Sequence, residues 1–496
     1  MRFIERNGKL TIAKSSQKGM PLSIIENLPE IQTNLTYNYS TKLQQFLWGK
    51  ELLMDEIPFS FPNIKEHFEN GYIGFGYGIE NVNKKRCNRC ANDDPFVFSS
   101  FLCARCGEMC SYCRKCIMMG RVSECTPLIS WKGPRLERSE PAGHRLTWDG
   151  KLSRGQMDAS KKIVETIQSN NEILIWAVCG AGKTEVLFEG LQMALYKNQR
   201  ICIATPRTDV VLELAPRLQD AFPETKIAAL YGGSKQKNEQ AEMYIATTHQ
   251  LLRFKEAFDV VIVDEDEVDA FPFSMDKSLQ FAVEKSRKQN SSLIYLTATP
   301  SKQWKREVRQ NKRQAIKIPA RYHGHALPIP NFEWCGNWTK EVAKGRLPKN
   351  VAEWIQKQLK LNKQAFLFVP NILLLEKIER ICKFYNDRIE SVHANDRMRK
   401  EKVGKFRQGE IPIIITSTIL ERGVTIPNSD VAVLGAEDDI FTESALVQIS
   451  GRVGRHINYP TGNIIFFHYG KTDAMVEAKK HIEEMNKEAR EKGYLK

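Results

Sequence analysis

The 496-residue sequence lacks the features that would mark a membrane-spanning or secreted protein. No apolar run approaches the roughly 18–20 residues that a membrane-spanning helix requires. Charged residues occupy positions 1–10, where a secretory signal would have its apolar stretch. Internal repeats and low-complexity tracts are missing as well. The sequence therefore predicts a cytoplasmic protein whose contact with a membrane would be peripheral.

Acidic residues are also in short supply. The chain has 59 Asp and Glu against 73 Lys and Arg, which gives a formal net charge of +14. Almost all of the excess positive charge lies in two stretches of the sequence. Residues 84–138 contain 11 basic and 5 acidic residues, and residues 301–321 contain 8 basic residues and 1 acidic residue. A basic protein predicts a polyanionic partner. We expect these two stretches to face DNA or, in part, an anionic membrane.

Cysteine is scarce outside one segment, because eight of the 12 cysteines lie between residues 87 and 125. They are Cys87, Cys90, Cys103, Cys106, Cys110, Cys113, Cys116 and Cys125. Repeated Cys-x-x-Cys steps in a cytosolic chain favour structural Zn²⁺ over disulfides or a single redox pair. Eight thiolates could hold two ions, or one ion with spare thiols. The isolated Cys179, Cys202, Cys335 and Cys382 are typical of small buried residues.

What is present is an ordinary folding composition, with 42% hydrophobic and 9% aromatic residues, which excludes disorder as the main state. From about residue 146, short apolar runs alternate with helical stretches, and the pattern restarts after Pro330. This pattern predicts an α/β fold with two domains, each a parallel sheet flanked by helices. The predicted divisions are 1–83 (N-terminal region), 84–130 (zinc module), 131–145 (linker), 146–325 and 326–470 (α/β domains) and 471–496 (C-terminal helix). Residues 71–78, with glycine at alternate positions, predict a loop or an edge strand.

A phosphate-binding loop follows the predicted strand at residues 173–178. The sequence Gly180-Ala181-Gly182-Lys183-Thr184 sits between a buried strand and a helix. Glycines let backbone N–H groups turn towards phosphate oxygens, Lys183 would reach the β and γ phosphates, and Thr184 would bind Mg²⁺. The sequence therefore predicts nucleotide binding.

Two further elements point to phosphoryl chemistry. A buried strand ends in the run Asp264-Glu265-Asp266-Glu267, in which one Asp could hold Mg²⁺ and the neighbouring Glu could activate water. Strand geometry favours Asp264 and Glu265, and the repeat keeps Asp266 and Glu267 as rivals. Near residue 450, Gln448, Arg452 and Arg455 stand where two guanidinium groups could neutralise charge on a γ-phosphate.

With these motifs in order, residues 145–470 resemble superfamily 2 helicases and translocases, which hold ATP between two RecA-like domains. The other corresponding motifs are Gln156 with Trp148, Thr205-Pro206-Arg207, Thr247-Thr248-His249-Gln250, Thr297-Ala298-Thr299, Phe366 to Pro370, Thr416 to Thr418, Glu421 to Val424, and Gln448 with Arg452 and Arg455. The resemblance implies that Gln156 senses adenine and that the motifs at 205–207 and 247–250 contact a nucleic-acid backbone. It also implies that the motif at 297–299 couples hydrolysis to strand binding, and that Arg452 and Arg455 are arginine fingers.

A closer similarity is to the ComFA family of competence ATPases of Gram-positive bacteria. It rests on four segments, residues 112–121, 266–272, 420–424 and 441–448. The family's shared cysteines correspond to Cys87, Cys90, Cys113 and Cys116, which leaves the other four extra or available for a second ion. An additional Asp-Glu pair before Val268 departs from the family pattern and leaves the register of the acidic motif open.

The resemblance implies an ATP-dependent translocase that draws single-stranded DNA across the cytoplasmic membrane during natural competence, at the inner face of that membrane. Its implied cofactors are ATP, Mg²⁺ and Zn²⁺. Its implied partners are single-stranded DNA, a membrane DNA channel, a phosphoribosyltransferase-like competence protein and a strand-loading factor, and it leaves room for oligomerisation. Two alternatives stay open at this point: a replication-restart or repair helicase of the same superfamily, and a zinc-dependent DNA-binding scaffold with an idle P-loop.

Overall fold

The structure is a computed structural model. It describes residues 3–6, 9–13, 17, 19–20, 22–26, 28, 31–81, 84–136, 146–264, 276–393, 395–417 and 426–496. The predicted fold class is confirmed, because two parallel sheets flanked by helices follow a cysteine-rich region. Within the described ranges, the helices are too short or too polar to cross a lipid bilayer.

Where it is described, the region before residue 137 is built from short antiparallel strands, two α-helices and short 3-10 helices. The strands and α-helices are β1 (Phe3–Arg6), β2 (Lys9–Ile12), α1 (Thr41–Leu47), β3 (Glu51–Leu52), α2 (Phe61–Glu69), β4 (Ile73–Gly76), β5 (Ile79–Asn81), β6 (Lys85–Cys87), β7 (Phe98–Leu102), β8 (Met109–Cys113) and β9 (Leu128–Trp131). Strand β9 lies between β3 and β4 in one sheet. The cysteine segment is therefore an excursion from this sheet, and the chain returns to the sheet after it. Strand β4 is at an edge, as the alternating glycines predict.

The first parallel sheet has seven strands in the order β12-β13-β11-β14-β15-β10-β16. Its elements are α3 (Arg154–Gln168), β10 (Glu172–Ala177), α4 (Lys183–Val186), α5 (Phe188–Tyr196), β11 (Ile201–Thr205), α6 (Thr208–Ala221), β12 (Ile227–Leu230), β13 (Met243–Thr247), β14 (Phe258–Asp264), α7 (Lys277–Ser286), β15 (Arg287–Thr297), α8 (Lys302–Arg309) and β16 (Ala315–Ile318). Parallel strands bring their carboxyl ends, and the loops that follow them, to one edge of the sheet.

The second parallel sheet has six strands in the order β17-β22-β21-β18-β20-β19. Its elements are β17 (Asn331–Trp334), α9 (Trp338–Ala343), α10 (Lys349–Lys360), β18 (Ala365–Phe368), α11 (Ile372–Lys383), β19 (Glu390–Val392), α12 (Arg399–Arg407), β20 (Ile413–Thr416), β21 (Asp430–Leu434), α13 (Glu443–Ser450) and β22 (Ile464–His468). The chain ends in α14 (Asp473–Glu491).

One hydrophobic core runs through both parallel sheets. It joins Ile175 and Ile294 of the first sheet to Phe366 and Val433 of the second. The apolar face of α14 packs into the same core through Met475 and three further residues. The two domains are therefore packed against each other, and loops from both meet at their boundary.

Candidate functional site

The phosphate-binding loop has the strand-loop-helix form that its sequence predicts. Strand β10 ends at Ala177 and α4 begins at Lys183. Gly182 has a φ of +73°, and a Cβ at that position would lie 2.4 Å from Nε2 of Gln156. Glycine suits this turn, because the positive φ would strain most other residues and an added Cβ would displace the amide of Gln156. Lys183 and Thr184 are half-buried at the first turn of the helix.

The side chain of Gln156 binds the backbone of this loop. Its Nε2 donates a hydrogen bond to the carbonyl of Ala181 at 2.8 Å, and its Oε1 accepts one from the backbone N–H of Ser153 at 2.8 Å. The amide therefore fixes the loop to the start of α3. The adenine-sensing role that the family resemblance implies stays a prediction. Trp148, its predicted aromatic neighbour, packs edge-on against Phe188 at 5.4 Å between ring centroids.

The loop after α13 touches the phosphate-binding loop directly. A Cβ on Gly451 would lie 2.4 Å from the Cβ of Cys179, so the backbones of the two domains approach as closely as a glycine permits. The two predicted halves of a nucleotide site thus lie side by side, although they are about 270 residues apart in the chain.

Arg321 links these two loops and was not singled out by the sequence. Its Nε donates to the carbonyl of Cys179 and its Nη2 to that of Gly451, both at 3.3 Å. The side chain is 1% exposed, and its Nη1 has no acceptor among the described residues. Burial lowers the pKa of Arg321 to about 10, with a further contribution from the guanidinium of Arg455. The one available signal was its place just past β16, beside the strand that leads into the phosphate loop.

The predicted residues Gln448, Arg452 and Arg455 cluster at the end of α13. Gln448 is buried, and its Nε2 donates to Oγ of Ser444 at 3.4 Å. Arg452 is buried, with its guanidinium carbon 5.9 Å from the ring centroid of Phe366. The Nε of Arg455 donates to the carbonyl of Gly451 at 2.8 Å. Arg455 is therefore tied to the loop that contacts the phosphate loop, and Arg452 lies against β18.

The acidic motif is described only at its first residue. Asp264 is the last residue of β14, which lies between β11 and β15 in the sheet. Glu265, Asp266 and Glu267 lie outside the described residues. The register of the motif therefore stays a prediction.

The two predicted strand-contacting motifs and the predicted coupling motif at 297–299 begin at the carboxyl ends of strands in the first parallel sheet. Thr205, Thr247 and Thr297 are the last residues of β11, β13 and β15, and all three are buried. From the last of these motifs, Oγ1 of Thr299 lies 2.6 Å from Oγ of Ser444 on α13. This hydrogen bond joins the two domains. In the second domain, Thr416 ends β20, while residues 418 and 421–424 lie outside the described part of the chain.

The cysteines gather into two groups of four, with the Sγ atoms of each group within 4.8 Å of one another. The first group is Cys87, Cys90, Cys113 and Cys116. Its Sγ–Sγ distances include 3.8 Å between Cys87 and Cys116 and 3.7 Å between Cys90 and Cys113. A tetrahedral zinc ion with Zn–S bonds of about 2.3 Å requires sulfurs about 3.8 Å apart. The geometry fits a tetrathiolate zinc site.

The second group is Cys103, Cys106, Cys110 and Cys125. Three of its members lie on or beside the turn between β7 and β8, and Cys125 comes from the chain that follows. The first group belongs to a core cluster that also contains Leu174 and Val261 of the first parallel sheet, whereas the second forms a small cluster of its own. The first group thus packs against the first parallel-sheet domain. We call the two parallel-sheet domains the motor domains from here on.

The chain is similar to known proteins over most of its length. Residues 33–130 match the family model "Competence protein ComFA N-terminal domain". The chain is 52% identical to competence protein ComFA of Bacillus subtilis over 90% of its length and 96% of the relative's. The chain belongs to the ComFA family. ComFA of Streptococcus pneumoniae is 38% identical, over 76% of this chain and 86% of the relative.

The motor domains match broader families. Residues 149–302 match the "Type III restriction enzyme, res subunit" model, and residues 348–457 match the "Helicase conserved C-terminal domain" model. A transcription-repair-coupling factor of Staphylococcus haemolyticus is 24% identical over 56% of this chain and 24% of that protein. This ComFA is accordingly a DNA-dependent ATPase of the helicase type, and its helicase domains imply ATP and Mg²⁺.

Proposed function

We propose that this ComFA is an ATP-driven translocase that draws single-stranded transforming DNA across the cytoplasmic membrane during natural competence. The proposal rests on the family membership and on one structural observation. That observation is the direct contact between the phosphate loop of the first domain and the arginine-bearing loop of the second. A nucleotide bound there would touch both domains, so hydrolysis can change how they sit on a strand.

The residues of this chain have separable roles in the proposed site. Lys183 and the loop N–H groups would bind the phosphates of ATP, and Thr184 with Asp264 would hold Mg²⁺. When bound, Mg²⁺ would neutralise charge on the phosphates. Glu265, directly after the end of β14, is our choice for orienting the attacking water. Arg452 and Arg455 would stabilise charge on the γ-phosphate, and Arg321 would hold the two loops in register.

Contacts between the domains offer a route from nucleotide to strand. The hydrogen bond between Thr299 and Ser444 connects a strand-coupling motif to the helix that carries Gln448. Lys305 of α8 also makes an ion pair with Glu443, at the start of that helix, at 2.7 Å. A change in the tilt of α13 on hydrolysis would therefore move its contacts with Thr299 and with Lys305 of the first domain.

We also propose that each cysteine group holds one Zn²⁺ and that the metals fix the shape of the N-terminal region. The family resemblance further points to a membrane DNA channel, a phosphoribosyltransferase-like competence protein and a strand-loading factor as partners. On the same basis we propose that the protein acts at the inner face of the membrane. Co-purification from competent cells with each candidate partner tests these proposals.

The decisive experiment compares Lys183→Ala with Lys161→Ala, a matched lysine that is exposed on α3. We expect Lys183→Ala to abolish ATPase activity stimulated by single-stranded DNA and to abolish transformation. Lys161→Ala should resemble the natural sequence in both assays. Normal uptake of labelled DNA by a Lys183→Ala strain would contradict the proposal and would favour a scaffold with an idle P-loop.

A second measurement separates uptake from repair. A translocase should displace a protein block from single-stranded DNA without opening a flanking duplex. Efficient duplex unwinding, together with sensitivity to DNA damage in a deletion strain that still transforms, would favour the replication-restart or repair helicase.

A further inference from the structure

The cysteine-rich region carries an open groove that contains aromatic and basic side chains. The groove encloses about 380 Å³ and is lined by Phe96, Val97, Tyr112, Arg114, Lys115 and Ile117. Among the described residues, no acidic side chain lines it. It is separate from the nucleotide site described above.

Phe96 presents its ring to solvent at the groove. It lies in the short 3-10 helix Pro95–Val97 and is 88% exposed. The carboxylate of Asp94 caps this helix by accepting a hydrogen bond from the N–H of Phe96 at 2.9 Å. A single exposed ring is common on protein surfaces, and what distinguishes Phe96 is that it lies in a groove beside basic side chains.

The metal-binding segment fixes the other side of the groove. Arg114 and Lys115 lie between the cysteines Cys113 and Cys116 of the first group, and strand pairing sets Cys113 opposite Phe98 and Tyr112 opposite Ser99. A metal held by these cysteines would make the spacing between rings and cations rigid. Preorganised rings and cations bind with a smaller loss of side-chain entropy.

One of the two basic side chains of the groove, Arg114, is available to an anion. Arg114 is exposed and makes no ion pair within the described ranges. Lys115 contacts Asp276, which caps α7, at 2.9 Å, so the groove adjoins the first motor domain. Of the acidic residues that precede Phe96 in the chain, Asp93 pairs with Lys84 at 3.0 Å and Asp94 caps the 3-10 helix.

We propose that this groove binds single-stranded nucleic acid, with an unstacked base on Phe96 and Tyr112 and its phosphate at Arg114. Proteins that bind single strands combine aromatic platforms with cationic grooves in this way. The proposal rests on the translocase function above and adds a strand-holding site outside the two motor domains. A duplex would be excluded, because its bases are stacked and present no free face.

The test uses full-length, zinc-loaded protein and a fluorescein-labelled oligothymidylate. We expect Phe96→Ala to weaken binding by about 5- to 160-fold, the range for loss of one stacked base, without changing the salt dependence. Arg114→Gln should instead lower the slope of log affinity against log salt by about 0.7, the value for one phosphate contact on a single strand. Phe96→Trp should restore affinity, because it retains an aromatic face.

The matched control is Phe384→Ala. Phe384 follows α11 in the second domain, and its ring is also 88% exposed. Its loss should leave affinity for the strand unchanged. Binding of the same sequence as a duplex should be indifferent to Phe96→Ala.

Natural affinity in Phe96→Ala would overturn the proposal, as would an equal loss in Phe384→Ala. A Phe96→Ala strain that no longer transforms, although the variant protein binds the strand with unchanged affinity, would also overturn the proposal. That result would identify the groove as a docking surface for a protein or membrane. These outcomes are independent of the Lys183→Ala experiment. The groove can therefore fail while the translocase stands, and the reverse.

Discussion

Arg321 is a buried cation held between loops of two different domains. An arginine can donate to the carbonyls of Cys179 and Gly451 at once because its donors form a rigid fork, whereas a lysine presents one ammonium group. The groups on each side, the phosphate loop and Arg455, are those that we assign to ATP. Arg321 thus acts on the reaction through their spacing and is a positioning residue.

We expect Arg321→Lys to lower kcat of the strand-stimulated ATPase by about 10- to 100-fold, with a smaller change in KM for ATP, because misplaced catalytic groups slow the reaction more than they weaken binding. Steady-state kinetics across an ATP titration measures both values. Arg309→Lys, on an exposed residue of α8, is the matched control. An unchanged kcat in Arg321→Lys protein that melts at the natural temperature would show that the bridge does not position the site.

Among the structural elements, the central strands were predictable and the edge strands were not. The apolar runs of the sequence predicted β10, β11, β13, β14 and β15 in the first sheet and β18, β20, β21 and β22 in the second. The four strands that the sequence did not indicate are β12, β16, β17 and β19, and these are the outermost strands of the two sheets. Central strands of a parallel sheet are apolar on both faces, whereas an edge strand such as Asn331–Trp334 is short and partly exposed.

In the candidate site, too, some features could be predicted from the sequence and others could not. The phosphate loop could be predicted because its chemistry is local, with neighbouring residues Gly182, Lys183 and Thr184 acting on one phosphate group. The grouping of eight cysteines and the bridge at Arg321 depend on chain folding between distant segments. Spacing alone allowed one ion or two, because any two Cys-x-x-Cys pairs can complete a tetrahedral shell.

The two cysteine groups make a prediction at this scale. We expect two zinc ions per chain, and one in a Cys110→Ser variant or a Cys113→Ser variant, as measured by elemental analysis. Loss of the second group should leave the strand-stimulated ATPase near its natural rate, because that group forms a separate cluster. Loss of the first should lower the melting temperature more, because its cysteines pack in a core shared with the first motor sheet. One zinc in the natural protein would contradict the two-site arrangement.

At the scale of the whole molecule, the basic stretch at residues 301–321 mainly contacts other parts of the protein, whereas we expected it to face DNA. Four of its basic side chains make ion pairs: Lys302 with Glu477, Lys305 with Glu443, Arg313 with Glu172 and Glu307, and Lys317 with Glu488. Arg321 is buried beside the phosphate loop. The expectation of a DNA-facing surface does not hold for Lys305, Arg313 and Arg321, whose side chains are largely buried. Lys302 is exposed, and for it the expectation stays a prediction. Much of the positive charge instead attaches the first domain to the second and to α14.

Glu443 is central to that attachment. Burial alone would raise its pKa, but the hydrogen bond with His481 and the ammonium of Lys305 lower the pKa to about 2. A carboxyl whose pKa in the folded state lies below its usual value stabilises the fold fully above that usual value, and the contribution is lost as the pH falls towards the folded-state pKa. The relevant window here runs from 4.5 down to about 2.

We therefore expect Lys305→Gln to destabilise the docked domains by about 1–3 kcal/mol at pH 7, the cost of leaving a largely buried charged partner with fewer hydrogen bonds. The difference from the natural protein should persist down to about pH 5 and shrink as the pH falls further, because Glu443 becomes neutral in the variant before it does in the natural protein. Urea unfolding followed at a series of pH values measures this. Arg306→Gln, an exposed neighbour on the same helix, should change stability by less than about 0.5 kcal/mol. A Lys305→Gln protein as stable as Arg306→Gln at pH 7 would show that the ion pair does not hold the two motor domains together.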